Sequence, residues 1–200
     1  MVLLCMVTRN KAITTTTLHT AMGVAMLCME HGLNLEVQFH IDKSTFHKAL
    51  KSTSEEKMIW IDYGVAIDKE TIQRLLFSDY KVLVVPCPLE GIDWKKFREN
   101  PLNEPVHQRG LHFDTTCMTA TKAGVSEFVS SVSDGRIVCV HVKYLLKKFR
   151  DANTQYKSLD HLKTKLDVKI GVLKSANVTC HYVHECFGNI IESSGVSVAP

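Results

Sequence analysis

The sequence predicts an α/β fold, a mostly parallel central sheet flanked by helices, in a single domain over residues 1–200. Two observations carry this prediction. From the amino terminus, short apolar runs alternate with amphipathic segments, so the hydrophobic period switches repeatedly between 2 and 3.6, and βαβα order implies parallel strands joined by helical crossovers. The run Met58-Ile59-Trp60-Ile61 then delivers an acid, Asp62, and is followed by a helix-opening pattern. An α/β protein presents a carboxylate in this way at the carboxyl edge of a strand, where open sheets bind their ligands.

Residues 2–7 are uniformly apolar and read as a first buried strand. Residues 14–31 are a helix that stops at Gly32, residues 35–41 a second strand, and residues 44–51 a short helix. Residues 58–62 form the acid-bearing strand, residues 68–77 a helix capped by Asp68, and residues 81–85 a further strand. After Pro86-Cys87-Pro88 the rhythm is lost, and residues 91–110 read as a surface excursion rich in turn residues. Beyond it the pattern predicts a strand within 111–121, a helix over 122–132 and a strand over 137–142. Helices over 143–150 and 159–166 and strands over 169–173 and 178–182 complete the chain. Residues 1–90 read as the nucleotide-binding half and 91–200 as the acceptor-side half.

Composition narrows the function classes. A formal charge of +3, with Lys and Arg scattered, argues against nucleic acid or an anionic membrane as partner. The apolar run at residues 1–7 is too short for a spanning helix or a signal core, and the seven cysteines fall mostly inside apolar runs, so a reducing cytoplasm is expected. Neither G-x-x-x-x-G-K-[ST] nor G-x-G-x-x-G occurs, which sets aside the P-loop and dinucleotide-binding readings.

Asp62 at a strand end suits a divalent cation bridging a diphosphate, or a ribose hydroxyl; it equally suits a cap on the turn into the next helix. Cys180-His181-Tyr182-Val183-His184-Glu185-Cys186 packs several potential zinc ligands together, but adjacent ligands on a strand point to opposite faces, and closed zinc sites usually draw on separated pairs. Lys143, Lys147, Lys148 and Arg150 alternate with Tyr144, Leu145, Leu146 and Phe149 at helical spacing, the pattern of a solvated basic face over an apolar one.

Three stretches together resemble the short GT-A-fold glycosyltransferases, of the soluble type seen in phages and large DNA viruses. Residues 59–65 with the helix after Asp68 look like that family's hydrophobic strand, D-x-D and helix. Residues 80–96, containing Ile92-Asp93-Trp94, are similar to its next strand and loop. Leu159-Asp160-His161-Leu162 and Val178-Thr179-Cys180-His181-Tyr182 look like its acidic helix start and terminal histidine strand. The resemblance implies transfer of a sugar from a nucleotide-sugar donor to the hydroxyl of a glycan or protein acceptor. It assigns Asp62 to metal and ribose, Asp160 to the acceptor as catalytic base, His181 to the metal (manganese or magnesium), and Thr8, Arg9 and Asn10 to the nucleotide pocket.

This chain departs from the family at three places. Gly64 stands where the second D-x-D carboxylate belongs, which weakens any metal site, and Leu159 replaces an acid. Phe46-His47-Lys48 replaces an arginine-asparagine pair, leaving Lys48 as a phosphate contact. These departures motivate the alternative of a catalytically inactive binding or assembly protein with the same fold. A nucleotide-binding α/β regulator unrelated to sugars is a third class.

Overall fold

The computed structural model describes residues 1–99, 110–118, 124–173, 178–186 and 189–197, with the side chains of Thr179 and of residues 181–197 left undescribed. Its centre is an eight-stranded sheet in the order β2-β1-β3-β8-β5-β9-β7-β6. The amino-terminal part supplies β1 (Val2–Val7), β2 (Leu35–His40), β3 (Lys57–Ile61) and β5 (Val82–Val85). The remainder supplies β6 (Thr115–Cys117), β7 (Val125–Ser131), β8 (Ile137–His141) and β9 (Gly171–Leu173). Strands β1, β2 and β3 are mutually parallel, as are β5 and β9, while β8 lies antiparallel between β3 and β5 and β7 antiparallel to β9. Six strands therefore point one way and two the other, so the sheet is mixed with a dominant direction.

The apolar runs are continuous because both faces of the sheet are covered. Strand β1 shows the division: Val2, Leu4 and Met6 join a core with helix α1 (Thr15–Glu30) and helix α3 (Lys69–Phe77), and Leu3, Cys5 and Val7 join a second core. Helices α2 (Phe46–Ser52), α5 (Val142–Asp151) and α6 (Leu159–Leu166) close that second core around the buried Trp60.

Local chemistry sets the helix ends. Thr14 Oγ1 accepts from the Thr17 amide at 3.1 Å, Asp68 Oδ1 from Thr71 at 2.7 Å, and Ser158 Oγ from His161 at 3.0 Å, each satisfying an amide the helix leaves unpaired. Lys57 Nζ closes the other end of α3 by donating to the carbonyls of Leu76 and Ser78, both at 2.7 Å. A cation there also opposes the helix dipole.

Three expectations need correction. Residues 125–131 are strand β7, not helix. Val125, Phe128, Val129 and Val132 mimic helical spacing, but a segment of valines and serines has weak helix propensity, and pairing with both β9 and β6 decides its state. The turn after Asp62 leads into a short strand, β4 (Val65–Ile67), which joins β10 (Val178–Cys186) and β11 (Asn189–Ser197) in a separate three-stranded antiparallel sheet. The excursion after Pro88 contains helix α4 (Trp94–Glu99), whose start is set by Asp93 Oδ1 accepting from the amides of Lys95 and Lys96 at 3.0 Å each.

Candidate functional site

The carboxyl ends of β1, β2 and β3 meet along one edge of the sheet. Because β8 runs antiparallel between β3 and β5, its start reaches the same edge, with Ile137 facing both Ile61 and Val85. Residues 134–136 thus join chain that follows four different strands. A cleft of about 470 Å³ opens there, within the range of small-molecule sites. Its walls carry three cations, Arg9, Lys43 and Arg136, and three acids, Asp42, Asp62 and Glu90. The Tyr63 ring lies below the Arg9 guanidinium, 5.4 Å from its carbon.

Asp62 is fixed from two sides. Its amide donates to the Arg136 carbonyl at 2.8 Å, and its Oδ1 accepts from the Trp60 indole at 3.0 Å. The Arg136 guanidinium in turn donates to the Tyr63 carbonyl at 2.7 Å. After Tyr63 the chain turns through Gly64, whose φ of +75° lies in the left-handed region that side chains disfavour. The Gly64 amide donates to Thr17 Oγ1 at 3.0 Å and the Ile67 amide to Thr20 Oγ1 at 3.1 Å, so two threonines of α1 hold this turn.

Beneath the cleft lies a cluster that the sequence reading missed. Lys43 donates to the carbonyls of Asp134, at 2.6 Å, and Gly135. Burial pushes its ammonium below the ordinary lysine range, against the opposing pull of Asp62, Asp134 and Asp114. Asp114 is fully buried, and its two oxygens accept from the amides of Cys87, at 2.9 Å, and Arg136, at 3.0 Å. Burial raises its carboxyl pKa above the usual range despite those two amides and the nearby cations. Asp134 is raised for the same first reason, with Lys43 opposing and Asp62 and Asp160 adding to the shift. The Tyr156 hydroxyl is buried with no hydrogen-bond partner among the described residues; burial and the charges of Asp134, Asp62 and Asp160 push it well above its ordinary value. Lys43 had a readable signal, since it follows a strand end by three residues. Asp134 and Arg136 had none, because nothing in the sequence marks β8 as antiparallel.

The predicted site residues divide. Arg9 and Asp62 line the cleft. Thr8 instead ties β1 to β2, through its amide and hydroxyl to the His40 carbonyl at 2.8 and 3.2 Å. Asn10 sits at φ +49° in the tight turn that Arg9 and Ala12 close, and neither it nor the exposed Lys48 of α2 lines the cleft. Asp160, in the first turn of α6, accepts from the Ser131 hydroxyl at 2.7 Å and is not among the lining residues. The pairing of Cys180 with Val65 brings the chain at His181 beside the turn through Gly64, and the His181 side chain lies outside the described residues. Among the described residues no group of three His, Cys, Asp or Glu side chains could hold a metal ion, and no helix is long and apolar enough to cross a membrane. At the turn itself the described residues supply one carboxylate, Asp62.

No protein-family model and no curated protein matches the sequence. Of solved structures, the inositol-1-phosphate CTP transferase from T. maritima is similar in shape, with a TM-score of 0.43, 8% identity, and coverage of 86% of this chain and 84% of that one. At that score no conclusion about substrate or chemistry passes from that enzyme to this chain.

Proposed function

We propose that this chain is a nucleotide-dependent transferase, and that the group transferred is a sugar moving from a nucleotide-sugar donor to an acceptor hydroxyl. One observation carries the reading: three cations and three acids share the walls of one cleft at the carboxyl edge of the sheet. A purely anionic ligand would be repelled by Asp42, Asp62 and Glu90, and a neutral one would gain nothing from the positive charge of Arg9 and Arg136. A nucleotide-sugar offers a diphosphate for the cations and ribose and sugar hydroxyls for the acids. In this proposal Arg9 and Arg136 hold the diphosphate and Asp62, oriented by Trp60, accepts from ribose. Asp160 is the acceptor-side base, oriented by Ser131. Asp62 and His181 would be the residues to hold manganese or magnesium, and no step depends on such an ion.

Calorimetric titration with nucleoside diphosphates and nucleotide-sugars, with and without manganese, tests the proposal. Asp62→Ala and Arg136→Ala each remove a charged hydrogen-bonding group, worth about 2 kcal/mol or roughly a 30-fold weaker Kd. Absence of binding across the panel, or binding indifferent to both variants, refutes the reading. A second reading, binding without transfer, is favoured by Gly64 and by the position of Asp160 outside the cleft wall. Saturable donor binding with neither transfer nor donor hydrolysis would establish it.

A further inference from the structure

The two edges of the central sheet are unlike. At one end β6 has three residues and an irregular register, which blunts it against pairing with another chain. At the other end β2 has six residues in unbroken register with β1, contains no proline or lysine, and among the described residues has no strand on its outer side. The side chains of Val37 and Phe39, and of Ile41 just beyond, stand in water on the α1 side of this strand.

Helix α1 continues that surface. A Cβ on Gly23 would come within 2.9 Å of Ile72, so α3 flanks one side of α1. Helical rotation places Ala21 and Ala25 on the opposite side, toward β2, and Leu18, Met22 and Met29 at the top, with Met26 between the top and the α3 side. Those four and the three β2 side chains are between 43% and 82% exposed. Together they leave on the order of 800 Å² of apolar surface in water, more than monomers usually expose and equal to one partner's share of a standard interface.

We propose that β2 and α1 form the contact surface for a second copy of this chain, with the two β2 strands pairing antiparallel about a two-fold axis at Gln38. The backbone and the sequence are both compatible with this register. The carbonyls of Asn34 and His40 accept from β1, so even-numbered residues of this strand direct their amides inward and odd-numbered ones outward. An axis at Gln38 pairs Val37 with Phe39 of the second copy, both outward-directed, and sets Leu35 opposite Ile41 just beyond the strand. It overlaps residues 36–40 of the two strands and sets Glu36 opposite His40; an axis at Glu36 would set two carboxylates face to face. The axis runs normal to the sheet, so both α1 helices lie on the same face and close over the paired Val37 and Phe39 side chains.

Sedimentation velocity on the full chain at tens of micromolar should give the mass of two chains, and Phe39→Lys, at an exposed position, should give the mass of one. Gln38→Cys tests the register independently, because the axis makes Gln38 its own non-hydrogen-bonded partner, at a separation a disulfide can span. Mild oxidation should convert most of that variant to a linked dimer on a non-reducing gel, while Val37→Cys and the parent chain should stay largely unlinked. A monomeric parent overturns the proposal. So does a dimer unaffected by Phe39→Lys, or one in which Gln38→Cys links no better than Val37→Cys.

Discussion

Gly64→Asp restores in sequence the carboxylate that the resemblance expects, and the structure predicts that it damages the protein instead of completing a metal site. Gly64 is buried, has φ +75°, and commits its amide to Thr17. Any side chain in that backbone region costs about 1–2 kcal/mol, which Gly64→Ala measures alone. The carboxylate adds a desolvation cost of about 2–3 kcal/mol beyond alanine, for a total of about 3–5 kcal/mol at pH 7. The added carboxyl would have its folded-state pKa raised by burial, so the folded state holds its proton longer than the unfolded one. Its extra destabilisation therefore grows as pH rises above about 4 and shrinks toward the alanine value below that. Urea unfolding followed by the fluorescence of the buried Trp60, at pH 4 and pH 7 on the parent and both variants, measures all three quantities. A Gly64→Asp protein as stable as the parent at pH 7, with manganese affinity gained, would show that the turn rearranges freely and that this backbone argument fails.

Two further outcomes follow from buried groups. Asp114→Asn keeps one acceptor oxygen but turns an NH2 toward an amide donor, so it should cost about 2 kcal/mol by urea unfolding. Because burial raises the Asp114 carboxyl in the folded state, the parent loses this residue's contribution as pH climbs through that raised value, and the gap between parent and variant should be widest near pH 4 and narrow toward pH 7. An unchanged gap would contradict the assigned shift. Burial holds the thiols of Cys5 and Cys139 up at about 12 and about 11 and raises Cys87 well above its ordinary value, so alkylation of the native protein at pH 8 should modify the half-buried Cys117 before any of these three, as read by peptide mass mapping. Early labelling of Cys87 would mean that the Asp114 region opens readily.

Much of the fold was legible because strands buried on both faces announce themselves: Val2 to Val7 and Met58 to Ile61 need no partner information to be read. Helix starts at Thr14, Asp68 and Ser158 were equally local, since a cap depends on residues two or three positions away. Strand direction is not local. The antiparallel setting of β8 depends on which neighbours accept it, and Asp134 and Arg136 reach the cleft only through that choice. Strand β7 failed for a related reason, its valines fitting either period until β9 is present. The site was readable at Asp62, where a strand ended in an acid, and unreadable at Asp114, whose importance lies in two amides from distant segments, Cys87 and Arg136.

The placement of β8 bears on how the chain acquires its structure as it is synthesised. Strands β3 and β5 lie close in sequence yet never touch, and the slot between them stays open until residues 137–141 arrive. An amino-terminal fragment ending near residue 90 therefore exposes the inner edges of both strands, and pairing across such a sequence gap carries a loop-closure cost before any contact rewards it. Emergence from the ribosome should thus leave a sticky intermediate for the time needed to make about fifty residues, at roughly 5–20 residues per second. Production of this protein in cells should depend on translation rate and on chaperones that shield open strand edges.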